Sequence, residues 1–239
     1  MPIITEEAAP RIAVSPLSGA DTASLLRKER LINRFARVTQ FISWPLFFVL
    51  FHVLFDVRTT GRANFRAVKS PFIVIANHIS FYDSFLFRLI LGFATPHLPL
   101  RFMGVTNFNW RFLNFLSSIG VVDFIYGLFG VFTIVPGRGI ERNLEEAREI
   151  IRAGGNIVIY PEGKIVIEHG VAPFKKGAAV LQLETGVSVI PVSFNEKRNW
   201  LRRQISINIG GPMSMLDGRS VEEVTESFHA AISELYGRK

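Results

Sequence analysis

Residues 71–91 constrain this chain more than any other stretch. An apolar run, Pro71-Phe72-Ile73-Val74-Ile75-Ala76, leads into Asn77-His78-Ile79-Ser80-Phe81-Tyr82-Asp83, and then into the apolar segment Ser84 to Leu91. A buried strand handing its chain to a helix through a turn that carries His and Asp is how α/β proteins present chemistry. Five steps along a regular helix separate two side chains by roughly 140°, so His78 and Asp83 cannot share one helix face. They meet only if His78 sits at or before the helix start and Asp83 lies in the first turn, where a carboxylate also suits the helix dipole. There Asp83 accepts a bond from one imidazole nitrogen and leaves the other free as a base. On spacing alone, a helix-capping or core-edge histidine beside a first-turn carboxylate is the commoner reason for such a pair.

The remaining elements alternate. Glu141 to Ala153 reads as a helix, with Leu144, Ala147, Ile150 and Ile151 on one face and Gly154-Gly155 as the stop. A buried strand, Asn156 to Tyr160, follows, then a helix from Lys176 to Thr185 and a strand from Val187 to Phe194. Gln204 to Ile209 alternates as a half-buried strand does, and a last helix opens on Ser220 and Glu223 as a capping box. Pro96 to Pro99 reads as a loop, and Phe108 to Leu113 begins another aromatic helix. The apolar run Val121 to Val135 is either a core strand with a preceding helix or a membrane-touching surface. This order predicts an α/β fold with a mixed, largely parallel sheet flanked by helices, preceded by an N-terminal membrane-associated helical segment. The expected division is residues 1–57 for tail and membrane segment and 58–239 for the α/β domain.

Composition brings in the membrane. The chain holds 22 Phe and 49% hydrophobic residues, with only 20% charged, greasy for a protein living wholly in water. Met1 to Ala20 lacks an apolar core and reads as a loose tail rather than a signal peptide. A basic stretch follows, with Arg27, Lys28, Arg30, Arg34 and Arg37, and then an uncharged run from Val38 to Phe55 interrupted by Pro45. A buried core helix, a single span and a helix pair embedded in one leaflet all fit. The embedded pair suits the basic flank best, since cations grip anionic headgroups while aromatics enter the acyl region. The net charge of +7 accompanies no nucleic-acid motif, so lipid surface and phosphate-bearing substrate are the expected partners. With no cysteine there is no disulfide, thiolate metal site or cysteine nucleophile. His52, His97, His169 and His229 have no carboxylate at useful spacing, so no metal site is expected.

Four ordered segments resemble the glycerolipid acyltransferase superfamily, the 1-acylglycerol-3-phosphate acyltransferase-like enzymes. They are Asn77-His78 with Asp83, Ile157 to Gly163 ending in Pro-Glu-Gly, Pro173-Phe174-Lys175-Lys176-Gly177-Ala178, and Val187 to Val192. The resemblance covers roughly residues 58–210. It implies transfer of an acyl group from a thioester, acyl-CoA or acyl-carrier protein as co-substrate and no other cofactor, to a lysophospholipid hydroxyl. His78 is then the base and Asp83 its orienter, with Asn77, Arg138, Glu162, Gly163, Lys175 and Lys176 contacting substrate. Arg138 follows a Gly130-to-Arg138 stretch longer than the family's spacing, and Lys164-Ile165 stands where the family commonly has Thr-Arg. A solvated loop arginine, surface lysines and a purely structural Pro-Glu-Gly turn remain alternatives, and Arg101 is a weaker cation candidate. The expected acceptor is lysophosphatidate and the expected location the cytoplasmic face of a membrane. A different acceptor (another lysophospholipid, glycerol 3-phosphate or an aminolipid) or a non-catalytic lipid-binding protein are the competing readings. No Gly-x-Ser-x-Gly elbow supports a hydrolase.

Overall fold

The chain enters through two helices, α1 (Gly19–Ile42) and α2 (Trp44–Leu54), which bend by 46° at Ser43, where Pro45 lies in the first turn of α2 and suits a helix start. There follow β1 (Phe55–Thr60), α3 (Ala63–Ala67), β2 (Phe72–Ala76), α4 (Asp83–Leu91), β3 (Leu100–Gly104), α5 (Arg111–Ser118), α6 (Val121–Phe129) and β4 (Val131–Thr133). The remainder is α7 (Ile140–Arg152), β5 (Asn156–Ile159), α8 (Gly177–Thr185), β6 (Ser188–Arg198), β7 (Arg203–Ile209) and α9 (Val221–Gly237). This computed structural model describes residues 19–93, 95–105, 111–135, 137, 139–166, 170–198, 202–214 and 218–238.

The seven strands among the described residues join one sheet in the order β1-β7-β6-β2-β5-β3-β4, parallel throughout except where β6 meets β7. The expected mixed, largely parallel sheet is therefore what forms. Its central strands β2 and β5 are buried along their whole length, which explains their unbroken apolar sequence. One face packs Phe72, Val74 and Val158 against Phe51, Phe65, Leu86 and Phe87 from α2, α3 and α4. The other packs Ile73, Ile75 and Ile157 against Leu144, Leu181, Phe228 and Ile232 from α7, α8 and α9. The capping box of α9 forms as expected, with Ser220 and Glu223 each accepting the other's backbone N–H.

Two expectations need correction. The boundary after residue 57 falls inside β1, which pairs with β7 from Phe55↔Arg203 to Thr60↔Asn208, so the N-terminal helices and the domain share a strand. The other concerns Arg101, which with α1 is fastened into the domain. Gln40 Nε2 donates to the carbonyls of Leu100 and Phe129, and its Oε1 accepts the Leu100 N–H at 3.1 Å, so one buried amide ties α1 to the start of β3. Arg101 Nη1 meets Glu29 Oε2 at 2.6 Å and Asn33 Oδ1 at 3.0 Å, and Arg101 Nε donates to the Gly130 carbonyl. Arg101 is thus a neutralised structural cation rather than a phosphate ligand. Gly130 passes so close to it that a Cβ there would lie 2.8 Å from Arg101 Cδ.

Candidate active site

β2 last pairs with β6 at Ala76↔Val192, and the chain then leaves the sheet at Asn77. The Asn77 side chain replaces the next ladder rung: Nδ2 donates to the Phe194 carbonyl at 2.8 Å and Oδ1 accepts the Phe194 N–H at 2.7 Å. Fully buried, with both amide atoms committed to β6, Asn77 sets the direction of the turn and is not a substrate contact.

His78 is held from four directions. Its N–H donates to Glu162 Oε2 at 2.8 Å, its carbonyl accepts the Val166 N–H, its ring lies on that of Tyr160 with centroids 4.1 Å apart, and Nδ1 meets Asp83 Oδ2 at 3.0 Å. Asp83 is the first residue of α4 and fully buried. Its Oδ2 also accepts the N–H groups of Ile79 and Ser80, at 2.7 and 2.9 Å, and its Oδ1 the Ser80 hydroxyl at 2.6 Å. Four donors and a helix N-terminus offset the burial of that charge. A carboxylate only accepts, so Nδ1 carries the imidazole proton. Nε2 keeps its lone pair, has no hydrogen-bond partner among the described residues, and belongs to a side chain 20% exposed. This is the arrangement of a general base with its orienter.

Tyr160 sits beneath the imidazole with its hydroxyl 3.0 Å from Ser84 Oγ. Burial, and secondarily the charge of Asp83, push its phenol well above the usual range, so it stays a neutral platform. Tyr82 donates to Glu196 Oε2 at 2.5 Å, and burial likewise pushes its phenol up. Its ring meets Phe51 and Phe55, so the turn is braced both by β6 and by the end of α2.

The Pro-Glu-Gly turn closes the site from β5. Glu162 is buried and spends both oxygens on backbone, the His78 N–H and the Ala172 N–H at 2.9 Å. It therefore clamps two loops and does not face substrate as expected. Burial pushes its carboxyl up, while the two backbone donors pull the other way. Gly163 has φ +66°, a conformation that calls for glycine, and the Lys175 ammonium lies over it, 2.5 Å from where a Cβ would stand. Lys175 is bound to this turn through its N–H on the Pro161 carbonyl, and its side chain lies exposed across Gly163. Lys176 differs: its ammonium forms an exposed ion pair with Glu222 at the start of α9. Arg138 and His169 lie outside the described residues. Among the described residues no group of three His, Cys, Asp or Glu is arranged to hold a metal.

The sequence reading missed Ser80, Tyr160, Ser84 and the Tyr82–Glu196 bond. A serine three residues before an aspartate that opens a helix, and an aromatic directly before Pro-Glu-Gly, were the signals on offer for the first two.

Residues 56–195 match the Acyltransferase family model, well over half of the chain. The chain is 30% identical over 142 residues to a 1-acyl-sn-glycerol-3-phosphate acyltransferase of Chlamydomonas reinhardtii, covering 58% of this chain and 38% of that one. It is 30% identical over 154 residues to the protein of that name in Borreliella burgdorferi, covering 63% and 56%. The match thus spans less than two thirds of either relative's own length. The crystal structure of the 1-acyl-sn-glycerophosphate (LPA) acyltransferase from Thermotoga maritima shares the fold, with a TM-score of 0.51, 23% identity, and coverage of 92% of this chain and 83% of that one. With the His78–Asp83 pair, its clamp and these matches together, the chain belongs to the acyltransferase family.

Proposed function

We propose that this protein transfers a fatty acyl group from acyl-CoA or acyl-carrier protein to the free hydroxyl of lysophosphatidate, giving phosphatidate. The observation that carries this reading is the bond from His78 Nδ1 to buried Asp83, which leaves Nε2 open as a base. The acceptor hydroxyl gives its proton to Nε2 as its oxygen bonds to the thioester carbonyl carbon. Collapse of the tetrahedral intermediate breaks the C–S bond, and the imidazolium returns the proton to the departing sulfur. No covalent acyl-enzyme is needed. The chain has no cysteine, and the Ser80 hydroxyl donates to Asp83 rather than to His78. Lys175, lying over the turn that clamps His78, and Arg138 are the cations we assign to the acceptor's phosphate.

No single described helix is long and apolar enough to cross a membrane, whereas the bent pair Arg27–Ile42 and Trp44–Leu54 passes that test together. Phe35, Ile42, Leu46, Val49 and Val53 are exposed along it. We assign this pair to one leaflet, at the cytoplasmic face, with the cations of α1 among the headgroups.

Labelled acyl-CoA and a panel of lysophospholipids, given to the purified protein, test the reading. Lysophosphatidate should be acylated in preference to lysophosphatidylcholine, and His78→Ala should lower the rate by about 10²–10⁴-fold. A folded His78→Ala protein with near-parental transfer removes the mechanism.

A further inference from the structure

The hairpin α5–α6 has no role in the site, yet it carries large apolar groups in the open. Phe112, Phe115 and Ile119 recur along one face of α5 and the turn that ends it, and Val121, Phe124 and Ile125 share a face of α6. Phe112 and Phe124 are each 67% exposed and Phe115 59%. The other side of α6 is used inward, through buried Val122 and through the Tyr126 hydroxyl on the Val105 carbonyl. We infer that α5–α6 is a second membrane-inserting hairpin, lying beside the α1–α2 pair and entering the same anionic leaflet.

Three observations point to lipid rather than a protein partner. First, α6 packs against α1, whose exposed Leu31, Phe35, Val38 and Ile42 continue the apolar surface. Second, the exposed charge on α1 from Arg27 onward is cationic, and Asp123 is the acid on the hairpin itself. Arg27, Lys28, Arg30, Arg34 and Arg37 are all exposed, while Glu29, the acid among them, is buried against Arg101. A rim of cations beside exposed aromatics matches headgroup phosphates above acyl chains. Third, β3 runs parallel to β5 and β5 to β2, so the chain leaves β3 toward α5 at the same sheet edge where His78 sits. α2 ends at that edge too, through the Phe55–Tyr82 contact. Each hairpin thus joins the strand end that carries His78, while Gln40 of α1 and Phe129 of α6 meet at the opposite end of β3. Asp123, exposed in the first turn of α6, keeps the insertion shallow.

This inference builds on the membrane assignment of α1–α2, and the test separates the two. The chain has no cysteine, so single-cysteine variants take one environment-sensitive fluorophore each. Phe115→Cys and Phe124→Cys report on the hairpin, Val49→Cys on α2, and Glu226→Cys on exposed α9 as the control. The labelled full-length proteins are bound to phosphatidylcholine–phosphatidylglycerol vesicles containing a spin-labelled lipid quencher, with iodide as aqueous quencher. Labels at 115, 124 and 49 should be quenched by lipid and shielded from iodide, and the label at 226 the reverse. Lipid quenching at 49 with iodide quenching at 115 and 124 overturns the second hairpin and leaves the α1–α2 assignment standing. Lipid quenching at none of the three sinks both. Shielding at 115 and 124 before vesicles are added means that protein, including a second copy, covers the surface, and overturns the inference as well. Replacing Phe112, Phe115 and Phe124 together by Ser should lower vesicle partitioning roughly tenfold or more, with acyl transfer to micellar acceptor kept. Unchanged partitioning contradicts the inference.

Discussion

Asp83→Asn separates charge from geometry at this site, because an amide can keep the geometry. Three of the four bonds to Asp83, from His78 Nδ1 and from the Ile79 and Ser80 N–H groups, fall on Oδ2, and only the Ser80 hydroxyl falls on Oδ1. A carbonyl oxygen in the place of Oδ2 keeps all three donors. The new NH₂ in the place of Oδ1 donates to Ser80 Oγ, a hydroxyl that can reverse its role. The tautomer of His78 and the fold of the turn therefore survive. What disappears is the negative charge beside the imidazolium that forms as the substrate proton arrives. Two unit charges about 4 Å apart interact by about 4 kcal/mol at an effective dielectric near 20. The imidazolium is only partly formed in the transition state, so about 2–4 kcal/mol is lost, roughly 30- to 900-fold in kcat with KM little changed. Converting charge-assisted bonds to neutral ones costs about 2 kcal/mol of stability, a fall in Tm of about 4–8 °C for a chain of this size. Asp83→Ala instead strands the Ile79 and Ser80 N–H groups, so its Tm should fall below that of the Asn variant while its activity is similarly low. Steady-state kinetics and thermal melts of the three proteins decide this. An Asn variant within about threefold of parental kcat, melting as expected, would refute an electrostatic role for Asp83.

Other perturbations test the rest of the scaffold. Glu162→Gln puts an NH₂ group against one of two backbone donors, so it should destabilise by about 1–3 kcal/mol even though a buried charge is removed. Because burial holds the Glu162 carboxyl above its unfolded value, its contribution is fully present below the unfolded pKa and falls as pH rises toward the folded one. The gap in Tm between parent and Gln variant should therefore be widest at acid pH and narrow upward, and a pH-independent gap contradicts this. Tyr160→Phe keeps the ring under His78 and should stay within a few-fold of parental kcat, whereas Tyr160→Leu should lose about tenfold or more as the imidazole plane loosens; equal effects would mean the stacking is incidental. Lys175→Ala should raise KM for the acceptor and not for the thioester, as saturation curves with the other substrate fixed will show. Glu29→Ala removes the closer of two carboxylates on buried Arg101, leaving Glu146 at 3.7 Å, and should cost about 3 kcal/mol, visible as a drop in Tm with detergent-solubilised protein.

What was legible in the sequence is what is local. His78 and Asp83 lie in one turn, so spacing and helix geometry alone stated the condition under which they meet, and the structure brings them together at 3.0 Å. β2, β5, α7 and α9 are likewise spelled out by unbroken apolar runs or one-sided helical patterns. The misreadings are all long-range. Asn77 and Glu162 look like substrate contacts because they are polar residues in a motif, yet their partners are the backbones of Phe194 and Ala172. β3 was hidden because Arg101 interrupts it, and partners distant in sequence, Glu29 and Asn33 with Glu146 at 3.7 Å, make that arginine tolerable inside. β1 was absorbed into the apolar run ending at Phe55, since nothing near it announces a strand whose sole partner among the described residues is β7.

That last pairing has a consequence for how the protein is made. β1 can join the sheet only once β7, beginning at Arg203, has left the ribosome. At about 5–20 residues per second, the intervening chain takes on the order of 10–30 s to synthesise. Throughout that interval α1 and α2 have emerged while the strand that follows them still lacks its place, and their aromatic flanks have only solvent, chaperone or bilayer to meet. The helices we assign to lipid thus emerge well before the strand that follows them is fastened. On that assignment, translation order offers the membrane the helices before there is a domain to compete for them.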